Sequence, residues 1–539
     1  MLSTMPDYPL TIASIMRYGT GLFADHEVVT YTGDGYRRRT YGEIAADAAR
    51  LASVLRSLGV TADQRVATFQ WNNDGHLVAY LAVPSMGAVL HTLNIRLFPE
   101  QLVYIANHAE DEVVLVDATL VPLLAPILPE MKTVKHVIVI GAADTQRLRE
   151  SGKAVHDYQE LMDAAPDTFD WPEIDERSAA AMCYTSGTTG NPKGVVYSHR
   201  SAYLHSASVC TGNAMGLSAA DRVLPIVPMF HANAWGLPYA ALMAGASLVM
   251  PDRFLQAEHL GRIIAEERVT ISGAVPTIWG DLLRHARQHP DLDLSSLRLV
   301  PCGGSAAPES LMRSLESEFG VRIIHAWGMT ETSPLATIAH PPSDAEDPWA
   351  YRVTQGRLLV GVEGRIVGDE ENVLPADGVS VGELEVRGPW VTSSYYLDDD
   401  PGRFHDGWLR TGDVGRLDAK GFVTLTDRAK DVIKSGGEWI SSVDLENALM
   451  GHPAVVEAAV IGVPDQRWGE RPLACVVVAD GSSVTPAELR DYLGEYAARW
   501  QLPERWAFIT EVPKTSVGKF AKRALRDMYA RNELRVLTL

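Results

Sequence analysis

The most informative stretch of the sequence is residues 184–194, which read Tyr184-Thr185-Ser186-Gly187-Thr188-Thr189-Gly190-Asn191-Pro192-Lys193-Gly194. It follows a short apolar run with the character of a buried strand, Ala179-Ala180-Ala181-Met182. The glycines let the backbone turn tightly and expose N–H groups, and the hydroxyl groups and the lysine supply further donors. No Gly-Lys-Ser/Thr sequence stands at the Walker A offset. The stretch therefore predicts a polyphosphate-binding loop of a different kind from the Walker A loop.

Outward from this loop, short β-rich runs alternate with helical stretches through the first four hundred residues. The predicted helices, such as residues 41–58 and 257–267, carry apolar residues at three- and four-residue spacing. This alternation is typical of α/β layers with mostly parallel sheets. The predicted strands are residues 66–69, 112–117, 136–140, 246–250 and 322–326.

A different pattern begins near residue 430. Residues 443–450 and 486–499 predict helices, and residues 455–463 and 473–478 predict strands, which together indicate a compact α+β unit. The charged stretch 427–431 separates the two patterns. We therefore expect a large α/β domain of several subdomains at residues 1–427 and a small α+β domain at residues 428–539.

Composition excludes several classes of protein. The 539 residues are 46% hydrophobic and 22% charged, as in globular proteins with a sizeable core. With 48 Lys and Arg against 68 Asp and Glu, the net charge of −20 argues against general binding of nucleic acid or anionic membranes.

Targeting and metal-binding features are equally sparse. The four cysteines form no CxxC pair, which argues against a zinc site or a disulfide framework. Residues 1–17 have no apolar signal-peptide core, and no apolar run reaches the roughly 18 residues needed to span a bilayer. We expect a cytoplasmic protein without a transmembrane segment and without a nucleic-acid partner.

The loop at residues 184–194 resembles the phosphate-binding signature of adenylate-forming enzymes, which include acyl-CoA synthetases, luciferases and peptide-synthetase adenylation domains. The likeness is greatest to bacterial medium- and long-chain fatty acyl-CoA synthetases, and it implies an AMP-forming acid–thiol ligase. Other motifs of the family follow in its order: Gly303-Gly304-Ser305-Ala306, Trp327-Gly328-Met329-Thr330-Glu331-Thr332, residues 382–388, Trp408-Leu409-Arg410-Thr411-Gly412-Asp413, residues 427–438, and Pro513-Lys514-Thr515-Ser516-Val517-Gly518-Lys519.

The resemblance implies the residues of the adenylation step, in which a carboxylate meets the α-phosphate of ATP. Two anions must approach, so cations and oriented donors are needed between them. Lys519 would be the catalytic cation and Thr330 a donor to the α-phosphate. Glu331 would bind the Mg²⁺ that bridges the phosphates, since Mg²⁺ keeps most of its waters and takes few carboxylates.

The resemblance also implies the nucleotide contacts. Asp413 would accept the ribose hydroxyls beside Arg428, and Trp327 with Gly304 would enclose the adenine. Many relatives carry tyrosine at the position of Trp327, so a phenolic contact would be lost. The whole implied ATP-binding set is Thr185, Ser186, Gly187, Thr188, Thr189, Lys193, Gly303, Gly304, Ser305, Trp327, Gly328, Thr330, Asp413 and Arg428.

A second step is implied for the small domain. Lys430 stands where the family places its hinge, and rotation there would withdraw Lys519 and bring in the loop that begins at Ser435. Paired glycines suit a narrow channel for the pantetheine of CoA, because side chains would obstruct it. The implied CoA tunnel is lined by Ser435, Gly436, Gly437 and Trp439.

Residues 228–235 resemble a segment that lines the acyl pocket of fatty acyl-CoA synthetases. By this resemblance His231 lies near the carboxylate and Trp235 is a gate to a hydrophobic tunnel, with Val275 and Gly303 as walls. The segment has no acidic residue to bind an amino group, which disfavours an amino-acid substrate. For Trp235, and for Trp390 further on, a plain core position is the alternative.

The resemblance favours a fatty acid–CoA ligase for medium- to long-chain acids, which uses ATP, CoA and Mg²⁺ and releases AMP and pyrophosphate. A ligase for a short acid such as 3-methylthiopropionate shares the same motifs and is the alternative. Adenylation for another acceptor, and an inactive fold that serves as a scaffold, are further alternatives. Related synthetases often form homodimers, so we expect one here.

Overall fold

The structure, a computed structural model, describes residues 1, 3–185, 191–398, 400–428, 431–435, 438–479, 481–515 and 519–539, and it describes residues 438 and 439 without their side chains. The described residues form four β-sheets. Two consist mainly of parallel strands, which confirms the expected α/β class. No helix in the described part of the chain is long and apolar enough to cross a membrane.

The first sheet has seven strands, all parallel except for the last pair. Its strand Val113–Asp117 is buried along its whole length, as expected for a strand covered on both faces. The predicted strand at residues 136–140 is confirmed as His136–Ile140. The spatial order is Ala154–Asp157, His136–Ile140, Val113–Asp117, Arg65–Phe69, Val89–Thr92, Ala179–Tyr184 and Gly194–Ser198.

The second sheet has five strands and is parallel up to its final antiparallel pair. Helix Asp74–Ser85 packs between the first two sheets and is buried on nearly every side. Its sequence is apolar all round, which is typical of such a central helix. The order of the second sheet is Ile271–Gly273, Arg222–Pro225, Ser247–Met250, Glu27–Tyr31 and Tyr36–Thr40.

The third sheet has ten strands and is mostly antiparallel, a feature that the alternation in the sequence did not indicate. Only its first pair, Val300–Cys302 with Ile323–Gly328, is parallel. The strands that follow in order are Leu335–Ile338, Gly356–Leu358, Phe422–Arg428, Trp408–Leu417, Gly382–Arg387, Glu363–Val367 and Val373–Leu374, and Phe404–His405 pairs with Trp408–Leu417.

The fourth sheet lies in the C-terminal part of the chain. Its long hairpin pairs Val455–Asp465 with Gly469–Val478, and helices Ser442–Met450, Pro486–Leu493 and Lys522–Ala530 belong to the same region. Apolar residues on the two faces of this hairpin belong to two small hydrophobic cores within the C-terminal region. The remaining strands are Glu438–Ile440, Ile433–Ser435, Arg505–Phe508 and Leu537–Thr538.

Local signals explain where helices begin and end. Helix Tyr41–Ser57 begins after Thr40, whose hydroxyl accepts from the backbone N–H of Glu43 while the Glu43 carboxylate accepts from that of Thr40. The predicted helix at residues 486–499 was too long. It ends at Leu493 because Gly494 is a weak helix former and the N–H groups of Glu495 and Tyr496 bond three residues back.

The other helices cover the sheets and connect their strands. The α-helices are Ile12–Leu22, Pro99–His108, Val121–Leu124, Gln146–Glu150, Tyr158–Ala164, His199–Cys210, Leu237–Ala244, Ala257–Glu266, Pro276–Gln288, Glu309–Phe319 and Pro348–Arg352. The 3₁₀ turns are Ala118–Leu120, Leu128–Glu130, Ala232–Gly236, Thr330–Thr332 and Arg499–Gln501.

Candidate active site

The motif residues meet where strands of three sheets end. A cavity of about 520 Å³ opens there, between the ends of Ala179–Tyr184, Ile271–Gly273 and Ile323–Gly328. A wider cavity of about 1380 Å³ shares part of its lining and extends towards the C-terminal domain. In α/β proteins, ligands bind outside the carboxyl ends of the strands. The position of the smaller cavity is therefore that of a ligand-binding site.

The turn Thr330–Thr332 brings two predicted residues into the smaller cavity. The hydroxyl of Tyr197 donates to the Thr330 carbonyl at 2.7 Å, and the hydroxyl of Tyr395 donates to Glu331 Oε1 at 2.7 Å. Arg403 Nη2 lies 3.8 Å from the same carboxylate oxygen. Glu331 is buried, and its second oxygen accepts no hydrogen bond from the described residues. Among the described residues, therefore, one carboxylate oxygen of Glu331 is held by Tyr395 and the other has no hydrogen-bond donor.

Lys193 lies at the end of the phosphate loop. Its backbone N–H donates to Thr185 Oγ1 at 3.2 Å, so the two ends of the loop are joined. Its Nζ is 2.7 Å from Asp400 Oδ2 and 3.3 Å from Asp398 Oδ2, and it stands 4.8 Å from the centre of the Tyr395 ring. The predicted loop residues Ser186, Gly187, Thr188 and Thr189 lie outside the described residues.

Asp413 is held between two residues of the predicted nucleotide site. The indole N–H of Trp327 donates to Asp413 Oδ2 at 2.8 Å, and Arg428 Nε lies 3.5 Å from Oδ1. Asp413 and Arg428 face each other on paired strands. Trp327 therefore holds Asp413 through its indole N–H. A tyrosine at this position has no indole N–H and could reach Asp413 only through its phenolic hydroxyl.

Three predicted glycines are required by their surroundings. A Cβ atom on Gly328 would lie 1.8 Å from the Pro334 carbonyl oxygen, and one on Gly303 would lie 2.5 Å from the Ala326 carbonyl oxygen. Gly304 has φ +86°, which glycine adopts readily. The neighbouring Ser305 is exposed and lines the wider cavity.

Lys519 enters the site from the C-terminal domain and lines both cavities. Burial, together with the positive charge of Arg428, lowers the pKa of the Lys519 ammonium to about 8, although Asp413 and Glu331 act in the opposite direction. The Thr515 N–H donates to the Lys519 carbonyl at 2.7 Å. Lys519 thus lies close enough to Arg428, Asp413 and Glu331 for their charges to act on its ammonium.

His231 lines the smaller cavity. Burial and the charges of Lys519 and Arg96 lower the pKa of His231 to about 3, so its imidazole is neutral at physiological pH. The ring can donate or accept one hydrogen bond at each nitrogen but adds no charge.

Trp235 is carried by a left-handed turn. Residues 232–236 all have positive φ, from 42° at Ala232 to 72° at Gly236. The Cys183 thiol donates to Asn233 Oδ1 at 2.9 Å and ties the turn to the strand that leads into the phosphate loop. The indole of Trp235 covers Gly273 and Gly303, where added Cβ atoms would lie 3.2 Å from its ring atoms. Trp235 therefore forms part of the cavity wall and packs on these two glycines.

The smaller cavity has both polar and apolar lining residues. Among the described lining residues the carboxylates are Glu331 and Asp400, and Asp400 pairs with Lys193 of the phosphate loop. Val275 lines the cavity as predicted, and Gly303 borders it beneath Trp235. The apolar lining residues are Ile226, Val227, Leu255, Ala274, Val275 and Ile278.

Of the predicted thiol-channel residues, the structure describes the side chain of Ser435 alone, and Ser435 is not among the described lining residues of either cavity. Ser435 lies buried in the fourth sheet, where Arg471 Nη1 donates to its hydroxyl at 3.2 Å. Lys430, Gly436 and Gly437 lie outside the described residues, as does the side chain of Trp439.

Sequence reasoning missed Arg96 and Tyr395. Arg96 lines both cavities, and burial lowers the pKa of its guanidinium. It follows strand Val89–Thr92, and its place after the end of a parallel strand was the signal that could have identified it.

For Trp390, the core alternative is correct: it is buried and its indole donates to the Leu335 carbonyl at 3.1 Å.

Comparison with known proteins gives two family matches and close relatives. Residues 21–396 match the AMP-binding enzyme family and residues 444–519 match the AMP-binding enzyme C-terminal domain. The chain is 45% identical to a 3-methylmercaptopropionyl-CoA ligase of Ruegeria lacuscaerulensis, with 98% of this chain and 99% of that protein covered. It is 45% identical to a long-chain-fatty-acid–CoA ligase of Thermus thermophilus (98% and 97% covered) and 43% identical to a medium-chain-fatty-acid–CoA ligase of Ectopseudomonas oleovorans (98% of each covered).

A solved structure of an anthranilate CoA ligase, AuaEII, in complex with anthranoyl-AMP, has the same fold. It superposes with a TM-score of 0.88 at 26% identity, with 98% of this chain and 99% of that chain covered. These likenesses extend over nearly the whole chain and include the residues that line the cavity. The chain therefore belongs to the AMP-binding enzyme family and is an AMP-forming acid–thiol ligase of the acyl-CoA synthetase type.

Proposed function

We propose that this enzyme is a fatty acid–CoA ligase that prefers medium- to long-chain acids. The observation that carries the proposal is a single cavity with a lining of mixed character. The lining combines Lys519, Thr330 and Glu331 with a set of apolar side chains that includes Trp235. Such a cavity suits a carboxylate head and a hydrocarbon tail, and it disfavours an acid that carries an amino group.

In the first step the acid carboxylate attacks the α-phosphate of ATP, and pyrophosphate leaves. Lys519 contacts the carboxylate and the α-phosphate and lowers the repulsion between them, since an ammonium aimed at the developing charge stabilises the transition state. Thr330 donates to the α-phosphate. His231, which is neutral, orients the carboxylate by a hydrogen bond without competing with Lys519 as a cation.

The nucleotide is held by the residues predicted to bind it. Asp413 accepts the ribose hydroxyls beside Arg428, and Trp327 with Gly304 encloses the adenine. The loop from Thr185 to Lys193, through Ser186, Gly187, Thr188 and Thr189, binds the β- and γ-phosphates, with Gly303, Ser305 and Gly328 shaping the site. The contact of Trp327 with Asp413 orients this carboxylate before the ribose arrives.

Glu331 is the residue that would bind Mg²⁺. The described residues contain no group of three or more His, Cys, Asp or Glu able to hold a metal ion by themselves. One carboxylate with an oxygen that accepts no hydrogen bond from the described residues fits Mg²⁺, which keeps several waters and shares phosphate oxygens. When bound, the ion neutralises charge on the phosphates.

In the second step CoA attacks the acyl-adenylate and AMP leaves. We place the domain boundary between residues 427 and 428 and the hinge at Lys430, so that the small domain rotates and Lys519 withdraws. Ser435, Gly436, Gly437 and Trp439 then line the channel for the thiol arm. Gly437→Leu should spare adenylate formation and stop thioester formation; equal loss of both steps would contradict the channel.

A short acid such as 3-methylthiopropionate is the second candidate. Trp235 covers Gly273 and Gly303 as part of the cavity wall, which favours a short tail unless the indole moves. The 45% identity to a 3-methylmercaptopropionyl-CoA ligase supports the same candidate.

The deciding experiment is CoA-dependent AMP release with Mg-ATP and a panel of acids from acetate to palmitate, with 3-methylthiopropionate and benzoate included. A buried CH₂ group contributes about 0.8 kcal/mol, or roughly fourfold in kcat/KM. A kcat/KM that rises by about this factor per carbon supports the fatty acid ligase. A maximum at short acids supports the second candidate, and no AMP release with any acid would refute both.

Two further properties are proposed on likeness and composition. We propose a homodimer, as in related synthetases, which light scattering of the purified protein tests. We propose a cytoplasmic location because all four cysteines are free thiols, which suits a reducing compartment.

A further inference from the structure

A buried polar cluster joins three segments next to the hinge. Its members are Asp427, Ser442, Glu446 and Lys522, all of which are buried. The backbone N–H of Ser442 donates to Asp427 Oδ2 at 3.0 Å, and the Ser442 hydroxyl donates to the same oxygen. Lys522 Nζ donates to the Ser442 hydroxyl, lies 2.8 Å from Glu446 Oε1 and lies 4.0 Å from Asp427 Oδ1.

The cluster crosses the proposed domain boundary. Asp427 ends the large domain on strand Phe422–Arg428, whereas Ser442 and Glu446 lie on helix Ser442–Met450 of the small domain. A second bond crosses at the same place, from the Ser441 hydroxyl to the Thr426 carbonyl at 2.6 Å. Asp427 is therefore the carboxylate through which the large domain holds the small one at this point.

The cluster also lies close to the catalytic cation along the chain. Lys522 is the first residue of helix Lys522–Ala530 and follows Lys519 by three residues. On its other side, Lys519 is held by two hydrogen bonds with Thr515: the Thr515 N–H donates to the Lys519 carbonyl at 2.7 Å, and the Lys519 N–H donates to Thr515 Oγ1 at 3.1 Å. With both sides held, the position of Lys519 depends on where Lys522 is anchored.

Rotation of the small domain would break some contacts of the cluster and keep others. The bonds from Ser442 to Asp427 would break, while the pair of Lys522 and Glu446 lies wholly within the small domain and would move with it. A buried charge left without a partner is strongly unfavourable, so retention of this pair keeps the rotated state accessible. The bonds to Asp427 then act in one orientation only.

We propose that Asp427 is a positioning residue that holds the small domain in the orientation in which Lys519 reaches the adenylation site. The proposal rests on the proposed function, because it requires two half-reactions served by two orientations of the small domain. A contact made in one orientation only must shift the balance between them by its own free energy. Removal of the contact should therefore affect the two half-reactions differently.

The test is Asp427→Asn, which keeps the shape of the side chain and removes its charge. Adenylation is measured as acid-dependent ATP–pyrophosphate exchange, and thioester formation is measured in a single turnover from preformed acyl-adenylate and CoA. Loss of a charged hydrogen-bond acceptor should lower the ratio of the exchange rate to the thioester rate by about tenfold. Ser442→Ala, which removes the bridging hydroxyl conservatively, should lower the same ratio in the same direction.

Thr485→Ala is the matched control. Thr485 caps helix Pro486–Leu493 within the small domain, so its loss weakens a helix N-terminus without crossing the boundary, and the ratio should stay unchanged. A ratio within twofold of that of the unmodified enzyme in both Asp427→Asn and Ser442→Ala would overturn the proposal. Absence of both half-reactions in the unmodified enzyme would instead refute the proposed function and remove the basis of the proposal.

Discussion

Raising the pH from 7 to 9 should slow the adenylation half-reaction about tenfold, because Lys519 must carry a charge to act and its pKa is lowered to about 8. An ordinary lysine, with a pKa of about 10.4, would remain charged over this range. The shift corresponds to about 3 kcal/mol against the charged form, and it arises from burial and the charge of Arg428. The decline should therefore centre near pH 8.

The assay is ATP–pyrophosphate exchange at limiting acid and ATP from pH 6.5 to 9.5, where kcat/KM reports ionisation of the free enzyme. Lys519→Arg is the matched variant. A guanidinium stays charged throughout, so this variant should be slower, by about 10²–10³-fold if the donor is displaced, with a rate that does not decline near pH 8. A decline near pH 8 in this variant too, or a constant rate to pH 9 in the unmodified enzyme, would refute the reasoning.

Three further substitutions test the cavity. Trp235→Ala should enlarge the cavity and raise kcat/KM for decanoate relative to hexanoate, by up to about fourfold for each CH₂ newly buried; an unchanged chain-length profile in the acid panel would contradict the assignment of Trp235 to the cavity wall. Tyr395→Phe removes the hydroxyl bonded to Glu331 and should raise the Mg²⁺ concentration for half-maximal exchange by about tenfold, without slowing the thioester step from preformed adenylate. Gly303→Ala should destabilise the protein by about 1–3 kcal/mol through overpacking against backbone. In contrast, a Cβ on Gly280 in helix Pro276–Gln288 would meet only the end of the Arg284 side chain, at an ordinary contact distance of 3.8 Å, so Gly280→Ala should raise the melting temperature slightly.

The elements that the sequence predicted well are those whose signals are local. The helix predicted at residues 41–58 is Tyr41–Ser57, where periodicity and a capping box agree. The helix predicted at residues 486–499 failed at its end, because the apolar spacing continues after Gly494 although the backbone does not remain helical. The ten-stranded, mostly antiparallel sheet was missed although most of its pairs are close in the chain, such as Ile366 with Leu374 and Asp413 with Arg428. Its strands were read as part of the alternating α/β pattern, which does not show the direction in which neighbouring strands pair.

In the candidate site, too, the residues that belong to local motifs were predicted, and those that act through distant contacts were not. Asp413, Glu331 and Lys519 lie in motifs whose order and spacing are visible in the sequence. The fold brings them to two adjoining cavities, where Glu331 lines the smaller, Asp413 the wider and Lys519 both. Tyr395 could not be assigned a role, because its importance comes from a hydrogen bond to a residue 64 positions earlier in the chain. Arg96 belongs to no motif, so its place after the end of a parallel strand was the one signal in the sequence, and its burial beside both cavities identifies it in the structure.

The left-handed turn at residues 232–236 reverses a familiar rule of protein stability. Replacing alanine by glycine usually destabilises a folded chain, since glycine loses more conformational freedom on folding. At Ala232 and Ala234, with φ 42° and 50°, each alanine already bears a penalty of about 1–2 kcal/mol that glycine does not. Ala234→Gly should therefore raise the melting temperature, and a fall would mean that the turn is relaxed in solution. The chain adopts a conformation here that its own residues disfavour, and the side chain held by that conformation is Trp235.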